Sequence, residues 1–349
     1  MKDNTVGFRS RRGAGTGVSP SLSAKMRRMI VGQDEALDAI LPYIDLFEAS
    51  LAPQGRPAGI FLLLGPTGTG KTRTVEALAE ALHGSERNVL RVDCGEFQLD
   101  HEVAKLIGAP PGYLGHRETH PLLTQQKLNA VTSQQSDLSL VLFDEIEKAA
   151  PSMARLLLGV MDKATLKLGD NTVVNFQSSL IFMTSNLGAR EMAKAAAERF
   201  GFASLTGGAA AAEKLSRIGL NAVKRRFSPE FVNRIDRTIT YHPLERECFD
   251  KILDLQIQGL ENMIAERFAE DAFSVKLTAA ARNFLLERGT SKEYGARELK
   301  RVIHRHVIQP LAQAVLRDLI EPGGAVRFDV SADGSSLRAI SRGGRPLAA

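Results

Sequence analysis

The sequence predicts an α/β fold, with a parallel sheet flanked by helices and a smaller C-terminal α+β lid domain. Short, wholly apolar runs at 60–64 and 140–143 are typical of parallel strands that are buried on both faces. These runs alternate with helical stretches, which indicates right-handed strand–helix–strand crossovers. The order of elements changes near His242-Pro243, where a second and smaller unit is predicted to begin.

The first unit is predicted to hold five strands, at 60–64, 89–92, 140–143, 179–183 and 238–241. A helix over 71–82 follows a glycine-rich turn. A second helix is predicted over 152–166, because Pro151 suits the first position of a helix. Residues 201–212 are rich in glycine and alanine and predict a flexible surface loop.

The second unit is predicted to hold helices at 244–268, 278–287 and 295–317 and strands at 273–277, 325–330 and 336–341. We therefore expect a large ATPase domain over 26–242 and a small lid domain over 243–341. Residues 1–25, in which three arginines lie among glycines, predict a disordered basic arm. Residues 342–349 predict a flexible tail.

The composition excludes several classes of protein. The chain has 349 residues, of which 44% are hydrophobic and 24% charged, as in soluble globular proteins of about two domains. It lacks an apolar run of about 18 residues and a secretory signal, so no membrane association is expected. Cys94 and Cys248 lie far apart, which favours reduced cysteines in a cytoplasmic protein. The net charge of +5 permits nucleic-acid binding, but interleaved acidic residues favour a mixed, solvated surface.

A phosphate-binding loop is the clearest chemical signal. The stretch Gly65, Pro66, Thr67, Gly68, Thr69, Gly70, Lys71 and Thr72 fits the pattern G-x-x-x-x-G-K-[ST]. It lies between a buried strand and a helix, where backbone N–H groups and the helix N-terminus can face phosphate oxygens. Lys71 is expected to reach the β- and γ-phosphates of ATP, and Thr72 to bind Mg²⁺.

Two further strands end in polar residues. Asp144 and Glu145 follow the strand at 140–143, as in a Walker B motif. Asp144 is expected to hold Mg²⁺ through water, and Glu145 to act as the general base on the attacking water. Asn186, after the strand at 179–183, could orient that water or contact the γ-phosphate; the alternative is an Asx turn that closes the strand.

Seven ordered blocks resemble the AAA+ ATPases, and within them the second ATPase module of the Clp/heat-shock unfoldases ClpA, ClpB and ClpC. The resemblance runs from about Val31 to about Leu337 and implies an AAA+ P-loop NTPase in a single-module form. The blocks that carry it are 31–36, 65–72, 108–113, 143–149, 183–188, 229–236 and 294–297.

The resemblance implies roles for individual residues. Ile30 and Val31 match the lining of the adenine pocket, and Asn186 matches the first sensor. Arg234 matches the arginine finger, which reaches into the neighbouring subunit's site, and Arg297 matches the second sensor. The alternative for each arginine is a surface ion pair. An arginine supplied by a neighbour implies a homo-oligomer, and the family forms hexameric rings.

Residues 108–115 contain two prolines and three glycines around a tyrosine. This composition excludes a regular helix or a central strand. The resemblance implies a pore loop in which Tyr113 and Leu114 grip polypeptide; the alternative is that Tyr113 folds back onto its own domain. A second pore loop is implied around 167–175, with Thr172 where the family has a basic residue.

The leading hypothesis is an ATP-hydrolysing unfoldase that threads unfolded or tagged protein clients through a ring pore. Phe200, Gly201 and Phe202 resemble a tripeptide that docks on a ClpP-like protease; the alternative is a packed helix end with Gly201 as its C-cap. A second hypothesis is an AAA+ ATPase that remodels one protein assembly or nucleic-acid-bound complex without a protease. A third, a scaffold that does not hydrolyse ATP, is disfavoured by Glu145 and Arg234.

Overall fold

The structure is a computed structural model that describes residues 18–108, 121–198, 208–290 and 295–341. In the described part of the large domain the helices are α1 (Val18–Met29), α2 (Asp34–Glu48), α3 (Lys71–His83), α4 (Ala104–Ile107), α5 (Gln125–Ala130), α6 (Pro151–Lys163), α7 (Ala189–Glu198), α8 (Gly208–Arg226) and α9 (Pro229–Asn233). The strands are β1 (Gly59–Leu64), β2 (Leu90–Asp93), β3 (Ser139–Asp144), β4 (Thr165–Lys167), β5 (Val173–Asn175), β6 (Ser179–Ser185) and β7 (Arg237–Thr240).

The small domain follows Tyr241. Its described elements are α10 (Arg246–Phe268), β8 (Ser274–Leu277), α11 (Ala279–Gly289), α12 (Ala296–Ile303), a π-helical turn at His304–Ile308, α13 (Gln309–Leu316), β9 (Ala325–Val330) and β10 (Leu337–Ile340). The three strands form one sheet in the order β10-β9-β8, and its apolar residues enclose a separate core. None of the described helices combines the length and the apolar character needed to cross a membrane.

The central sheet of the large domain is parallel, with the strand order β2-β3-β6-β1-β7. Every residue of β1 is buried, because helices cover both faces of the sheet. Phe61 and Leu63 enter the core on one face, and Ile60 and Leu62 enter the core on the other. This order places the carboxyl ends of β3, β6 and β1 side by side at one edge.

The structure differs from the sequence prediction in three places. Helix α1 begins at Val18, so residues 18–25 are not part of a disordered arm; Leu22 and Met26 are buried against α2 and α3. Helix α8 begins at Gly208, so residues 208–212 are helical rather than a loop. Helix α6 ends at Lys163 rather than 166, because Ala164 adopts a left-handed conformation (φ 49°) and β4 begins at the next residue.

A buried hydrogen-bond chain joins β7 to the phosphate-binding loop. The hydroxyl of Tyr241 donates to Thr74 Oγ1 at 2.9 Å, and that hydroxyl donates to the Gly70 carbonyl at 3.0 Å. Burial raises the pKa of Tyr241, so the phenol stays protonated as a donor. Gly65 approaches the same residue: a Cβ at this position would lie 2.5 Å from the Tyr241 carbonyl oxygen. Tyr241, which directly follows the edge strand β7, therefore holds the phosphate-binding loop in position.

We predict that Thr74→Val destabilises the protein more than Tyr241→Phe. Tyr241→Phe removes one hydrogen bond, whose net contribution is about 1 kcal/mol. Thr74→Val leaves the Tyr241 hydroxyl buried without an acceptor, which costs about 2 kcal/mol. The free energy of unfolding, measured by urea denaturation, should fall no further when Tyr241→Phe is added to Thr74→Val. Additive losses in the double variant would show that the two hydroxyls act independently.

Candidate nucleotide site

A cavity of about 590 Å³ lies over the carboxyl edge of the central sheet, between the two domains. Residues 67–72 of the phosphate-binding loop line the cavity, as does Arg73 in the first turn of α3. Ile30 and Val31 line one end together with Leu244, Ile252 and Leu255 of the small domain. The remaining walls carry Glu76, Arg91, Asp144, Glu145, Thr184, Asn186, Arg297 and Lys300. An apolar end and a charged end suit a ligand with a flat base and phosphates.

The phosphate-binding loop holds its lysine against its own backbone. The Lys71 ammonium donates to the Gly65 carbonyl at 2.6 Å, to the Pro66 carbonyl at 2.9 Å and to Asn186 Oδ1 at 3.0 Å. Lys71 is 8% exposed. Gly68 and Gly70 have φ values of +77° and +105°, a conformation that glycine adopts without strain and that turns the loop around the lysine.

The pKa of Lys71 is lowered to about 8, mainly by burial and to a smaller extent by the charge of Arg297; the negative charges of Glu147, Asp144 and Glu145 oppose this shift. The lysine is therefore protonated at neutral pH but lies close to its titration point. A phosphate bound in the loop would add negative charge beside the ammonium and stabilise its protonated form.

The two acids after β3 are held in different ways. Asp144 accepts hydrogen bonds from the Thr184 hydroxyl and from the Arg91 guanidinium, one on each carboxylate oxygen. Glu145 has a φ of +57°, a left-handed conformation that is uncommon for a residue with a side chain. Its carboxylate accepts from Lys148 Nζ at 2.5 Å and from Asn186 Nδ2 at 3.2 Å.

Asn186 is the centre of a polar network across the end of β6. Its amide joins Lys71 to Glu145, and its backbone N–H donates to Glu147 Oε1 at 3.0 Å. Glu147 Oε2 is buried without a hydrogen-bond partner among the described residues. Arg226, the last residue of α8, donates to the Glu147 carbonyl at 2.9 Å. The Asn186 side chain therefore lies between the ammonium of the phosphate-binding loop and the carboxylate of Glu145.

Two contacts tie the small domain to the loop. Gln33 Nε2 donates to the carbonyls of Thr69 at 3.1 Å and His242 at 2.9 Å, so one buried amide spans the loop and the interdomain connection. The Ala296 N–H donates to the Gly68 carbonyl at 3.0 Å. A Cβ on Gly295 would lie 2.7 Å from that carbonyl oxygen, so glycine alone permits this approach. The approach brings Arg297 to the cavity wall.

Arg234 does not line this cavity. Its Nε lies 2.7 Å from Asp162 Oδ1 on α6, and its side chain is 43% exposed. The arginine is thus half-exposed and lies outside the site of its own subunit. Tyr113, Leu114, Phe200, Gly201 and Phe202 lie outside the described residues.

Sequence reasoning missed several residues at the cavity. Arg91 lies on a short strand and carries no motif, and only the pairing of β2 with β3 brings it to Asp144. Thr184 and Glu147 lie within recognised blocks, but no local pattern indicates that Thr184 contacts Asp144 and Glu145 or that Glu147 contacts Asn186. Gln33 likewise belongs to the block 31–36, and its bridging role depends on the position of His242.

Comparison with known protein families gives one match in each domain. The profile of the AAA domain (Cdc48 subfamily) matches residues 56–238, and that of the C-terminal, D2-small domain of ClpB protein matches residues 244–328. The chaperone protein ClpB of Rhodopirellula baltica is 36% identical over 312 residues, which cover 89% of this chain and 33% of ClpB. The negative regulator of genetic competence ClpC/MecB of Bacillus subtilis is 35% identical over 301 residues, which cover 86% of this chain and 35% of ClpC.

Solved structures agree with these matches. The S. cerevisiae Hsp104:casein complex in its extended conformation superposes with a TM-score of 0.77 at 28% identity, over 93% of this chain and 53% of that chain. The closed state of Hsp104 with ATPγS and FITC casein gives a TM-score of 0.75, also at 28% identity, over 93% of this chain and 52% of that chain. The chain spans about a third of the length of the curated relatives it matches.

We predict that the affinity for nucleotide falls as the pH rises above 8. The buried Lys71 must be protonated to bind phosphate, so above its pKa of about 8 binding requires uptake of a proton and loses up to about tenfold in affinity per pH unit. Calorimetric titration with ADP in EDTA between pH 7 and 9.5, in buffers of different ionisation enthalpy, measures both the affinity and the proton uptake.

Lys71→Arg is the matched control, because a guanidinium stays protonated over this range. Its affinity should be weaker but independent of pH. An unchanged wild-type affinity up to pH 9.5 would contradict the lowered pKa.

Proposed function

The chain belongs to the family of the AAA domain (Cdc48 subfamily) and carries a ClpB-type D2-small domain, and we therefore propose that it hydrolyses ATP to unfold and thread polypeptide. The observation that carries this proposal is the proximity of the described residues that flank the two predicted pore loops. Hydrolysis of ATP in the nucleotide cavity would supply the energy. The cavity lies between two domains, and a bound nucleotide can change their relative position.

ATP is the proposed substrate of the cavity. Residues 65–72 bind the phosphates, and Ile30 and Val31 contact the adenine. Asp144 and Thr72 both line the charged end and offer oxygen atoms, the donors that Mg²⁺ prefers. These two residues would hold Mg²⁺, the aspartate through water; the bound ion neutralises charge on the phosphate oxygens.

Glu145 is the proposed general base. Its carboxylate is fixed by Asn186 and Lys148, so it can accept a proton from water in one defined orientation. Asn186 also contacts Lys71, which supports a role for its amide beside the γ-phosphate and the attacking water. Arg297 enters from the small domain and stabilises negative charge on the phosphates.

Arg234 is proposed to act on the neighbouring subunit. It is half-exposed, is held by Asp162 and does not line its own cavity, so a catalytic role requires a second copy of the chain. The contact is heterologous, because one face supplies the arginine and a different face supplies the site. Such contacts close into a ring when the rotation between neighbouring copies returns to the first copy. We propose that this ring is a hexamer.

The pore loops are proposed from described neighbours. The N–H groups of Leu122 and Leu123 donate to the carbonyls of Lys105 and Leu106, so the described residues on either side of 109–120, the segment that contains Tyr113 and Leu114, lie side by side. The hairpin of β4 and β5 adjoins these flanking residues, since the Gly169 N–H donates to the Ile107 carbonyl at 2.8 Å. This proximity supports the proposal that both predicted pore loops contact one threaded chain.

The partners follow from the same proposal. Unfolded or tagged proteins are the clients, and a cytoplasmic location agrees with Cys94 and Cys248, neither of which forms a disulfide. Docking of a ClpP-like protease on Phe200, Gly201 and Phe202 stays a prediction from the sequence. The alternative, remodelling of one protein assembly or nucleic-acid-bound complex without a protease, uses the same ATP site and differs only in its client.

We predict that Tyr113→Ala abolishes unfolding and preserves ATP hydrolysis. The variant removes the aromatic surface that would contact the polypeptide, in a segment that contains none of the proposed catalytic residues, so unfolding should slow by about tenfold or more. The measurements are the loss of fluorescence of a tagged fluorescent protein and the release of phosphate. Tyr113→Phe, which keeps the ring, should retain most of the unfolding rate; unchanged unfolding in Tyr113→Ala would refute the role of this loop.

A mixing experiment tests whether Arg234 acts in trans. Arg234→Ala should lower kcat by about 10³-fold, as for other arginine fingers, and Glu145→Gln should also be inactive. In rings formed from equal amounts of both, a site is active when its own subunit keeps Glu145 and its neighbour keeps Arg234, so about a quarter of the wild-type rate should return. Arg267→Ala, at an exposed position on α10, is the control and should keep full activity.

If the mixed rings recover no activity, Arg234 acts in the site of its own subunit. Gel filtration of each variant and of the mixture shows whether rings have formed, so a loss of assembly is distinguished from a loss of catalysis.

A further inference from the structure

The hydroxyl of Thr184, on β6, lies between the two acids that follow β3. Thr184 is 2% exposed, and its backbone is fixed by pairing with Leu63 in β1. Its Oγ1 accepts the N–H of Glu145 at 3.0 Å and donates to Asp144 Oδ1. A single buried hydroxyl thus contacts both predicted functional acids, using its lone pair for one and its proton for the other.

The first contact fixes the peptide plane that enters an unfavourable conformation. Glu145 has a φ of +57°, and a residue with a side chain in this region is destabilised by about 1–2 kcal/mol. The peptide N–H of Glu145 donates to the Thr184 hydroxyl, so the peptide unit between Asp144 and Glu145 has a buried acceptor and a defined orientation. The left-handed backbone in turn aims the carboxylate at Asn186 and Lys148.

The second contact decides which oxygen of Asp144 faces a cation. Thr184 occupies Oδ1, whereas Arg91 contacts Oδ2. Arg91 has a side chain that is 52% exposed and can swing away, but Thr184 is enclosed in the sheet and cannot. Oδ2 is therefore the oxygen that can be released to a cation at the site.

We propose that Thr184 is a positioning residue for ATP hydrolysis, whose hydroxyl orients the general base Glu145 and the metal-binding Asp144 at once. This inference rests on the proposed function, because it assigns Thr184 a role in the same reaction. The hydroxyl does not touch the nucleotide and acts through the two acids. A threonine serves here because its hydroxyl both accepts and donates, and its branched side chain restricts the rotamer.

The variants Thr184→Val and Thr184→Ser separate the hydroxyl from the shape of the side chain. Valine keeps the branched shape and removes both hydrogen bonds, whereas serine keeps the hydroxyl and removes a methyl group. We expect kcat to fall by about 100-fold in Thr184→Val, since a misplaced catalytic group costs about this factor. Thr184→Ser should stay within about threefold of wild type, because it loses only rotamer restriction.

Binding separates this role from a general loss of structure. The affinity for ADP in EDTA should be unchanged in Thr184→Val, because the phosphate-binding loop is intact. The additional affinity that Mg²⁺ confers should be reduced, because Asp144 is no longer fixed. Thr184→Ala serves as the second hydroxyl-free variant if Thr184→Val fails to fold, and the same results are expected from it.

Hydrogen exchange tests the geometry without any activity. The amide of Glu145 should exchange at least about tenfold faster in Thr184→Val than in wild type or Thr184→Ser, because its acceptor is lost. The exchange of β1 amides should be unchanged in all three proteins. If the wild-type chain does not hydrolyse ATP, the proposed function fails, while exchange and Mg²⁺-dependent binding still decide whether Thr184 orients the acids.

Three results would overturn the inference: wild-type kcat in both hydroxyl-free variants, equal losses of kcat in Thr184→Ser and Thr184→Val, or Glu145 exchange that does not depend on the hydroxyl. A double variant tests whether Thr184 acts through Glu145. Because Thr184 is expected to act partly through Glu145, adding Thr184→Val to Glu145→Ala should lower the residual rate by much less than about 100-fold, and a further loss of the full factor of about 100 would show that the threonine does not act through Glu145.

Discussion

The parallel pairing of β3, β6 and β1 is the constraint on which the rest of the structure depends. Parallel strands end at one edge of a sheet, so the residues that follow them meet even when they are distant in sequence. Gly65 follows β1, Asp144 ends β3 and Asn186 follows β6. The phosphate-binding loop, the acid pair and the polar amide are therefore assembled by backbone hydrogen bonds, and their side chains need only to be oriented. Thr184 contacts the first acid through its carboxylate and the second through its N–H.

The small domain completes the cavity through main-chain contacts. Gly295 approaches Gly68 so closely that no side chain fits between them, and the Gln33 amide bonds to the backbone of the loop at Thr69 and of the interdomain connection at His242. Backbone groups have fixed directions and lose little entropy when they pair, so the contact of Ala296 with Gly68 defines the spacing of the domains more closely than ion pairs between exposed side chains would. This contact also brings Arg297 and Lys300 to the cavity wall.

Much of the fold and part of the site could be predicted, for a physical reason. The apolar runs, the phosphate-binding loop and the strand-end acids are local patterns, and the positions of β1, α3, β3 and β6 follow from them. The strand order and the residues that depend on it are not local: Arg91 reaches Asp144 only because β2 lies beside β3. Helix α1 was missed because polar residues surround Leu22 and Met26, so only packing against α2 and α3 reveals its apolar face. The end of α6 was missed because it depends on the backbone conformation of Ala164.

The elements around α6 connect the nucleotide edge to the proposed pore loops without a flexible linker. The helix begins at Pro151, shortly after Glu145 and Glu147, and its thirteen residues extend for about 20 Å to the hairpin of β4 and β5. The Phe176 N–H returns to the Ala164 carbonyl at 2.7 Å, which closes the hairpin onto the end of the helix. Asp162, in the last turn, holds Arg234. One rigid helix thus follows the acids of its own site in the chain and contacts both the hairpin and the arginine proposed for the next subunit. A displacement of the helix must be accommodated at both contacts, because a packed helix moves as a body rather than bending to absorb it.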